Sequence, residues 1–496
     1  MRSTQPIPVL VGVGQLLQRA DDPSDAAEPL AMMVAALELA GEDAGAPKLL
    51  QRANSIYVLR GMWRYGDPGR EIARRLGARP DETVGTPYGG NLAQACVIDA
   101  AREIQAGRRD VVLVAGAENG RSQGQAQRQG TLLRETEAPG NPDRKIAEDK
   151  AIFHEAELAR GMNSASDVFA IIESAIRFAQ RETLDAHAQR VAELWAGFNV
   201  VARGNPHAWI RQPYTAQQIG RASADNPMIS YPYTRLMNAN ARVDMAAGLI
   251  LCSLATARSA GVPDEKLVFL HAATEANDSN FLSTRYDFHR SPAIRIAGKR
   301  ALELAGKTIE EIDHVDLYSC FPSVVQVAAT ELGIPEGRPL TVTGGLTFGG
   351  GPINSYALHA IARMVEVVRE ERGSLGLVHA NGGWLAKHVI GIYSTEPPEH
   401  GFRYENLQQQ VDAFPLREAL IDWDGPVTLE AYTVAHQKGQ PRIAHVACLT
   451  DAGKRSWATV SDPALLAVMM REEFCGRRGR VDGHGELHLD SVAREG

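Results

Sequence analysis

An order of elements that occurs twice constrains this chain more than any single motif. Gly89 and Gly90 lead into a helical pattern over 91–105, then Gly107, then the apolar strand 110–116. Gly350, Gly351 and Pro352 lead into a helix over about 354–370, then Gly373, then the apolar run 375–378. Near-continuous apolar strands reached through a crossover helix predict parallel pairing with both sheet faces covered. The glycine clusters stand where strand meets helix, where absence of a Cβ lets backbone approach backbone or ligand. A duplicated α/β domain, one copy in each half, is therefore expected, with further strands at 9–13 and at 315–318.

At 496 residues the chain exceeds the size at which one core keeps growing, and two or three domains are expected. Between the copies, over about 120–240, the pattern changes to long polar helices and turns at Asn205-Pro206, Asn226-Pro227 and Tyr231-Pro232. This reads as an insertion, and insertions above a sheet often cover ligands. Beyond about 399 the extended alternation of Val427, Leu429, Ala431 and Thr433 takes over, and Ser461-Asp462-Pro463 opens a helix. The predicted domains are 1–262, a first half with the insertion at about 120–240; 263–396, a second half; and 397–496, a small β-rich, OB-like domain.

A formal net charge of −8 gives no electrostatic footprint for nucleic acid. The five cysteines are scattered and never form a CxxC pair, which argues against a disulfide framework or a cysteine zinc site and fits a reducing cytosol. No signal-peptide pattern opens the sequence, and the apolar stretch 246–254 is short of the roughly 20 residues that cross a bilayer. A cytoplasmic protein without membrane insertion is expected.

Four segments, in order, resemble the thiolase superfamily: DVVLVAGAEN from Asp110, VDLYSCFPS from Val315, GGLTFGGGP from Gly344 and VHANGG from Val378. The likeness spans about residues 7–395 and is nearest to the sterol-carrier-protein and thiolase-like branches. The β-rich tail matches the type 1 thiolase-like proteins, which carry an extra C-terminal domain. The resemblance implies an α/β thiolase fold, two βαβαβαββ halves in five layers (α/β/α/β/α), with a loop domain that holds coenzyme A. It also implies acyl-CoA chemistry, with coenzyme A or acyl-CoA as ligand and no permanently bound cofactor. A homodimer through an edge strand of the first half is implied, or a monomer if the C-terminal domain covers that edge.

Carried across residue by residue, the thiolase catalytic positions fall on Gly90, Tyr318, Gly351 and Ala380. None holds the cysteine, histidine or asparagine of a working thiolase. Thiolytic chemistry needs a thiolate to hold the acyl group, a base to form it and a second acid/base cysteine. Losing one member of such a unit costs on the order of 10³ to 10⁶ in turnover, so ordinary thiolase activity is not expected. The backbone amides of the glycine turns, with Gly344, Gly345, Gly350, Gly351 and Gly382 as pocket candidates, depend on no side chain and can donate to an oxyanion.

The remaining catalytic candidates each carry a structural alternative. Cys320 is a nucleophile or a small buried apolar side chain. Ser319 attacks or bonds local backbone. Tyr318 donates a phenolic hydrogen bond into the site or fills the volume of an imidazole. His379, with His388 nearby, is a base beside the lost second cysteine, or faces away, since neighbours on a strand point to opposite sides. Asn381 holds a substrate carbonyl or is a turn residue. Cys96, deep in its helix, reads as core.

Two texts match other chemistries. Gly120-Arg121-Ser122-Gln123-Gly124 has the GxSxG form, but a nucleophile elbow must follow its strand at once. Gly12-Val13-Gly14 follows a strand, but Leu17 stands where a dinucleotide motif needs its third glycine. The tail clusters Lys454, Arg455, Arg471, Arg477, Arg478 and Arg480, either an oligonucleotide face or a solvated basic face. The expected function is acyl transfer from acyl-CoA by a non-standard route; the alternatives are a noncatalytic CoA-binding or partner-binding protein and, last, a serine hydrolase using Ser122.

Overall fold

The computed structural model describes residues 5–489. The first half runs β1 (Pro8–Leu17), α1 (Pro29–Asp43), β2 (Ser55–Val58), α2 (Pro68–Leu76), β3 (Glu82–Gly85), α3 (Leu92–Gln105) and β4 (Val111–Asn119). The insertion carries α4 (Gly120–Arg128), β5 (Arg144–Lys145), α5 (Glu155–Leu158), α6 (Ala165–Gln180), α7 (Leu184–Gly204) and α8 (Ala216–Gly220), then the hairpin β6 (Met228–Ser230) and β7 (Tyr233–Thr234). The half closes with β8 (Asp244–Ser253) and α9 (Leu254–Ser259). Its strands lie in the order β5-β3-β2-β4-β8-β1.

The second half contains β9 (Val268–Asn277), α10 (Pro292–Ala305), β10 (His314–Leu317), α11 (Pro322–Leu332), α12 (Tyr356–Glu370), β11 (Leu375–Gly382) and β12 (Lys387–Ser394), ordered β10-β11-β12-β9. Leaving out β5 of the insertion, it is one strand shorter than the first half. Where a third strand would stand, residues 338–344 run irregularly beside β10. The Leu317 amide donates to the Leu340 carbonyl there, and Asp316 accepts from Thr341 Oγ1 (2.8 Å), Thr343 Oγ1 (3.0 Å) and two amides of the segment. A buried carboxylate has taken up donors that a ladder would use.

α3 and α12 lie together between the two sheets and share one core with Val114, Leu249, Val378 and Val389 from both. α1 packs on the outer face of the first sheet and α10 on that of the second, giving the five layers. A short antiparallel contact of β1 with β9, Val9 opposite Phe269 and Leu10 opposite Val268, joins the sheets.

The tail adds β13 (Arg403–Asn406), α13 (Gln408–Val411), β14 (Gly425–Gln437), β15 (Gln440–Leu449), β16 (Arg455–Val460), α14 (Pro463–Met469), β17 (Arg478–Val481) and β18 (Leu487–Leu489). β14 pairs with β15 and β17, β15 with β16 and β17 with β18, while a parallel bridge from Thr459 to Glu486 brings β16 to β18. With α14 between the third and fourth strands of this closed set, the connectivity is that of an OB-type barrel. Five of the six clustered basic residues are matched by carboxylates: Lys454 by Glu418, Arg455 by Glu430, Arg477 by Glu472, Arg478 by Asp451 and Arg480 by Asp424. Matched charges give no net field for a phosphate backbone.

The tail is fastened to the body at several points. β13 adds in parallel to the free edge of β9, and β14 takes Ser230 of the insertion's hairpin opposite Ala435. Arg177 of α6 holds Glu473 through two 2.9 Å bonds, and Arg455 reaches across to the 282–286 loop. The edge of β3 is covered by β5 of the insertion, not by the tail. Arg144 anchors that strand by donating to Tyr57 Oη (2.9 Å) and Asp99 (2.8 Å). Among the described residues no helix is long and apolar enough to cross a membrane.

Candidate active site

Four segments converge at the C-terminal ends of β10 and β11: the turn opening α3, residues 318–320, the π-helical turn Gly345–Gly349 and the end of β11. At Gly90 a Cβ would overlap the Tyr318 hydroxyl and come within 2.6 Å of the Asn381 carbonyl oxygen. At Gly382 it would overlap Asn91 Oδ1. Asn354 ties the two glycine clusters together, accepting from the Gly89 amide (2.8 Å) and donating to the Arg60 carbonyl (2.6 Å).

Tyr318 packs edge-on against Tyr356 with ring centroids 5.3 Å apart, and Tyr356 donates to Asp316 Oδ1 at 2.9 Å. Burial pushes the Tyr318 phenol up, so it is a neutral donor. Ser319 is fully buried and accepts from the Leu346 amide at 3.3 Å. Cys320 is half-buried between two cores, and burial raises its thiol, which is protonated near neutral pH. Gly344, Gly345 and Gly350 have φ of +92°, +74° and +113°, which only glycine adopts without strain. Their turn is internally bonded in part: the Gly344 amide donates to Thr341 Oγ1 (3.0 Å), that of Gly345 to Thr343 Oγ1 (3.1 Å) and that of Gly351 to the Asn240 carbonyl (3.0 Å).

On β11 the alternation separates neighbours. Val378 and Ala380 face the central helices, whereas His379 faces the opposite side with Leu377 and Ile390, its register partner on β12. His379 Nε2 lies 3.1 Å from His388 Nδ1, and the two rings stack at 5.3 Å. His388 Nε2 looks onto Ser291 Oγ (3.4 Å) and Asp278 Oδ2 (3.5 Å), and the Ser291 hydroxyl donates to Asp278. Burial alone would raise Asp278, but the hydrogen bond to His388 holds its carboxyl below the ordinary range.

With His388 neutral, the partners fix the tautomers. His388 Nε2 faces acceptors and carries the proton; its Nδ1 accepts from His379 Nε2–H; His379 Nδ1 is left with a lone pair. That atom is buried and has no partner, as are Asn381 Oδ1, Asn91 Oδ1 and Trp384 Nε1. More than nine in ten buried polar groups in folded proteins are paired. Here His379 Nδ1 and Asn381 Oδ1 are unpaired on one face of the end of β11, with Trp384 Nε1 two residues beyond it, while Asn91 Oδ1 lies on the other face against Gly382. Burial, with the neighbouring His388, drives the His379 pKa well down, so its ring is neutral.

Sequence reasoning singled out His379, His388 and Asn381 but missed Asp278, Asn91 and Trp384. Asp278 is brought in only by pairing of β9 with β12; Trp384, directly after the last glycine pair, carried a readable signal. Glu118 at the end of β4 was also missed. It accepts from the Met62 amide at 3.0 Å, and burial raises its pKa to about 7. The folded protein then binds more protons than the unfolded chain between about pH 4.5 and 7, so stability falls as pH rises through that window, by about 3 kcal/mol. Glu118→Gln is expected to flatten this slope in urea titrations at stepped pH; an unchanged slope contradicts the assignment.

A cavity of about 500 Å³ opens beside the first glycine turn, lined by Arg60, Trp63, Thr86, Tyr88 and Lys145. The Arg60 guanidinium lies 4.8 Å from the centroid of Trp63 and 5.6 Å from that of Tyr88. Ser122 lies elsewhere, inside α4 and fully buried, donating to Asp244 Oδ2 at 2.5 Å. Gly12 and Gly14 allow α1 to close on β1, since a Cβ at either would overlap the carbonyl of Ala40 or Ala36.

Residues 406–486 match the family described as the thiolase-like protein type 1 additional C-terminal domain. The whole chain superposes on a monomeric SCP2-thiolase like protein type 1 from Mycobacterium smegmatis. The TM-score is 0.83 at 29% identity, covering 98% of this chain and 99% of that one. Over its whole length the chain is similar to this thiolase-like protein of type 1, and its tail matches that family's additional C-terminal domain. Its fold is the thiolase fold with an added C-terminal sheet domain. This thiolase-like chain is also related to acetyl-CoA acetyltransferases. It is 27% identical to the one from Methanothermobacter thermautotrophicus, over 39% of this chain and 55% of that protein. It is 30% identical to acetyl-CoA acetyltransferase IA of Candida tropicalis, over 31% of this chain and 36% of that protein. The chain thus spans about half the length, or less, of the curated relatives it matches.

Proposed function

We propose that this chain binds an acyl-CoA or a related thioester and transfers the acyl group without an acyl-cysteine intermediate. The observation that carries the reading is the unpartnered polar set at the end of β11, above all His379 Nδ1 held as an acceptor by His388, Ser291 and Asp278. Relationship to acetyl-CoA acetyltransferases supplies the ligand class. Arg60 and Lys145 line the cavity beside the glycine turn together with Asp67, Glu148 and Asp149, so its cations offer contacts to the phosphates of coenzyme A without a net positive field.

In this reading the positions Gly90, Tyr318, Gly351 and Ala380 hold no thiolase nucleophile or base, and the Tyr318 hydroxyl fills the space a side chain at 90 would need. Cys320 is a protonated thiol and Ser319 is bonded to backbone. An incoming acceptor, an alcohol, amine or water, gives its proton to His379 Nδ1 as its heteroatom bonds to the thioester carbon. The carbon–sulfur bond then breaks, and the proton passes to the departing thiolate. Asn381 holds the substrate, and the Trp384 indole N–H is a donor for the carbonyl oxygen.

The depressed His379 pKa makes it a weak base and favours the second reading, a noncatalytic coenzyme A binder. Calorimetric titration with acetyl-CoA, followed by measurement of free thiol release, separates the two. Saturable binding with slow release supports acyl transfer; binding without release supports the second; no binding overturns both. Cleavage of acetoacetyl-CoA at a rate typical of degradative thiolases overturns the cysteine-free route. The edge-covering strand β5 and the monomeric relative support a monomer.

A further inference from the structure

A second cavity, of about 420 Å³, lies between the 278–295 segment of the second half and the 408–416 segment of the tail. We infer that it binds a short aliphatic carboxylate, the anionic end against Arg285 and the chain along the tail segment. The cavity adjoins the thioester site at Asp278 and Trp384, but the inference rests on Arg285 and the tail segment.

Arg285 is almost wholly buried, and no ion pair within 4 Å holds it among the described residues. Its Nε and Nη2 donate to the main-chain carbonyls of Ser279, Trp384 and Leu385, the last two at 2.5 Å. Its Nη1 donates to nothing. A buried charge hydrogen-bonded only to neutral carbonyls, with the carboxylates of Asp278 and Glu157 near but not paired to it and one N–H group unmatched, is an arrangement that a directly bound anion would improve. The neighbouring carboxylate of Asp278 is already engaged by Ser291 and His388.

The charges around the cavity balance without filling that need. Arg295 faces Glu331 at 3.4 Å, and Asp412 accepts from Gln408 at 2.9 Å. Arg290 and Asp287 complete the charged rim. The opposite wall is apolar: Pro292, Val411, Phe414, Pro415 and Leu416. Phe414 and Leu416 are among the exposed large apolar residues, Leu416 at 65% exposure. Arg295 lies over the Phe414 ring, 5.8 Å from its centroid. One deep cation and one apolar wall select a molecule with both characters, in a volume ordinary for small-ligand sites.

Octanoate, octanol and inorganic phosphate, titrated separately into the full chain, test this. Octanoate is expected to bind saturably, with octanol and phosphate each at least about 10-fold weaker. Leu416→Glu, a surface change, is expected to weaken octanoate at least about 10-fold while leaving the thermal midpoint in place. Arg285→Gln is expected to abolish binding if it folds. Equal binding of octanol and octanoate, no octanoate binding, or octanoate affinity unchanged in Leu416→Glu overturns the inference. Phosphate binding as tight as octanoate overturns the amphipathic ligand. Acetyl-CoA binding in the Leu416→Glu variant reads the thioester site independently.

Discussion

Arg455→Ala is expected to destabilise the protein by about 3–5 kcal/mol, the range for removing one partner of a buried ion pair. Arg455 is fully buried in the tail. It binds Glu430 through Nε (2.7 Å) and Nη2 (2.6 Å). It also donates to the carbonyls of Leu282 (3.2 Å), Ser283 (3.0 Å), Arg285 and Tyr286 (3.2 Å), and lies over Phe288 at 4.1 Å. Alanine leaves one carboxylate and four carbonyls facing a void. Lysine keeps the charge but has no planar fork to reach both sides, and is expected to recover little. Unfolding in urea, with hydrogen exchange over residues 282–288, measures both the overall loss and its focus. A change under about 1 kcal/mol, or unchanged exchange in that loop, refutes the role of Arg455 as a tie between tail and body.

The second large effect concerns activity. If acyl transfer is detected, His379→Gln is expected to lower its rate by about 10²–10⁴, the usual contribution of a positioned general base, with acetyl-CoA affinity nearly unchanged. Asp278→Asn acts through His388 and is expected to cost less, roughly tenfold, as for groups that orient a ring rather than touch substrate. It is also expected to displace the acid limb of the pH–rate profile, which a packing defect would not do. Equal rates for wild type and His379→Gln would remove His379 from the reaction and favour the noncatalytic reading.

The repeated glycine–helix–strand order was enough to read two halves in the sequence, because buried parallel strands and crossover helices leave apolar runs and breakers at fixed places. The missing third strand of the second half was not legible. It depends on Asp316 drawing in Thr341 and Thr343, a side-chain choice with no periodic signature. Alternation on β11 did anticipate that His379 and Ala380 point apart. What lay across from His379 depended on strand register, which sets His388 beside it and brings up the end of β9 at Asp278, and on the start of α10 at Ser291. The closing of the edge of β3 was likewise hidden, since two residues of β5 carry no strand pattern.

The hairpin β6–β7 has a kinetic meaning. Ser230 finds Thr433 of its partner strand only 203 positions further along the chain, so during synthesis the insertion waits with an open edge while the entire second half emerges. Contacts so distant in order form slowly. The barrel is thus made well after the insertion, and its arrival is the event that locks a region translated long before it.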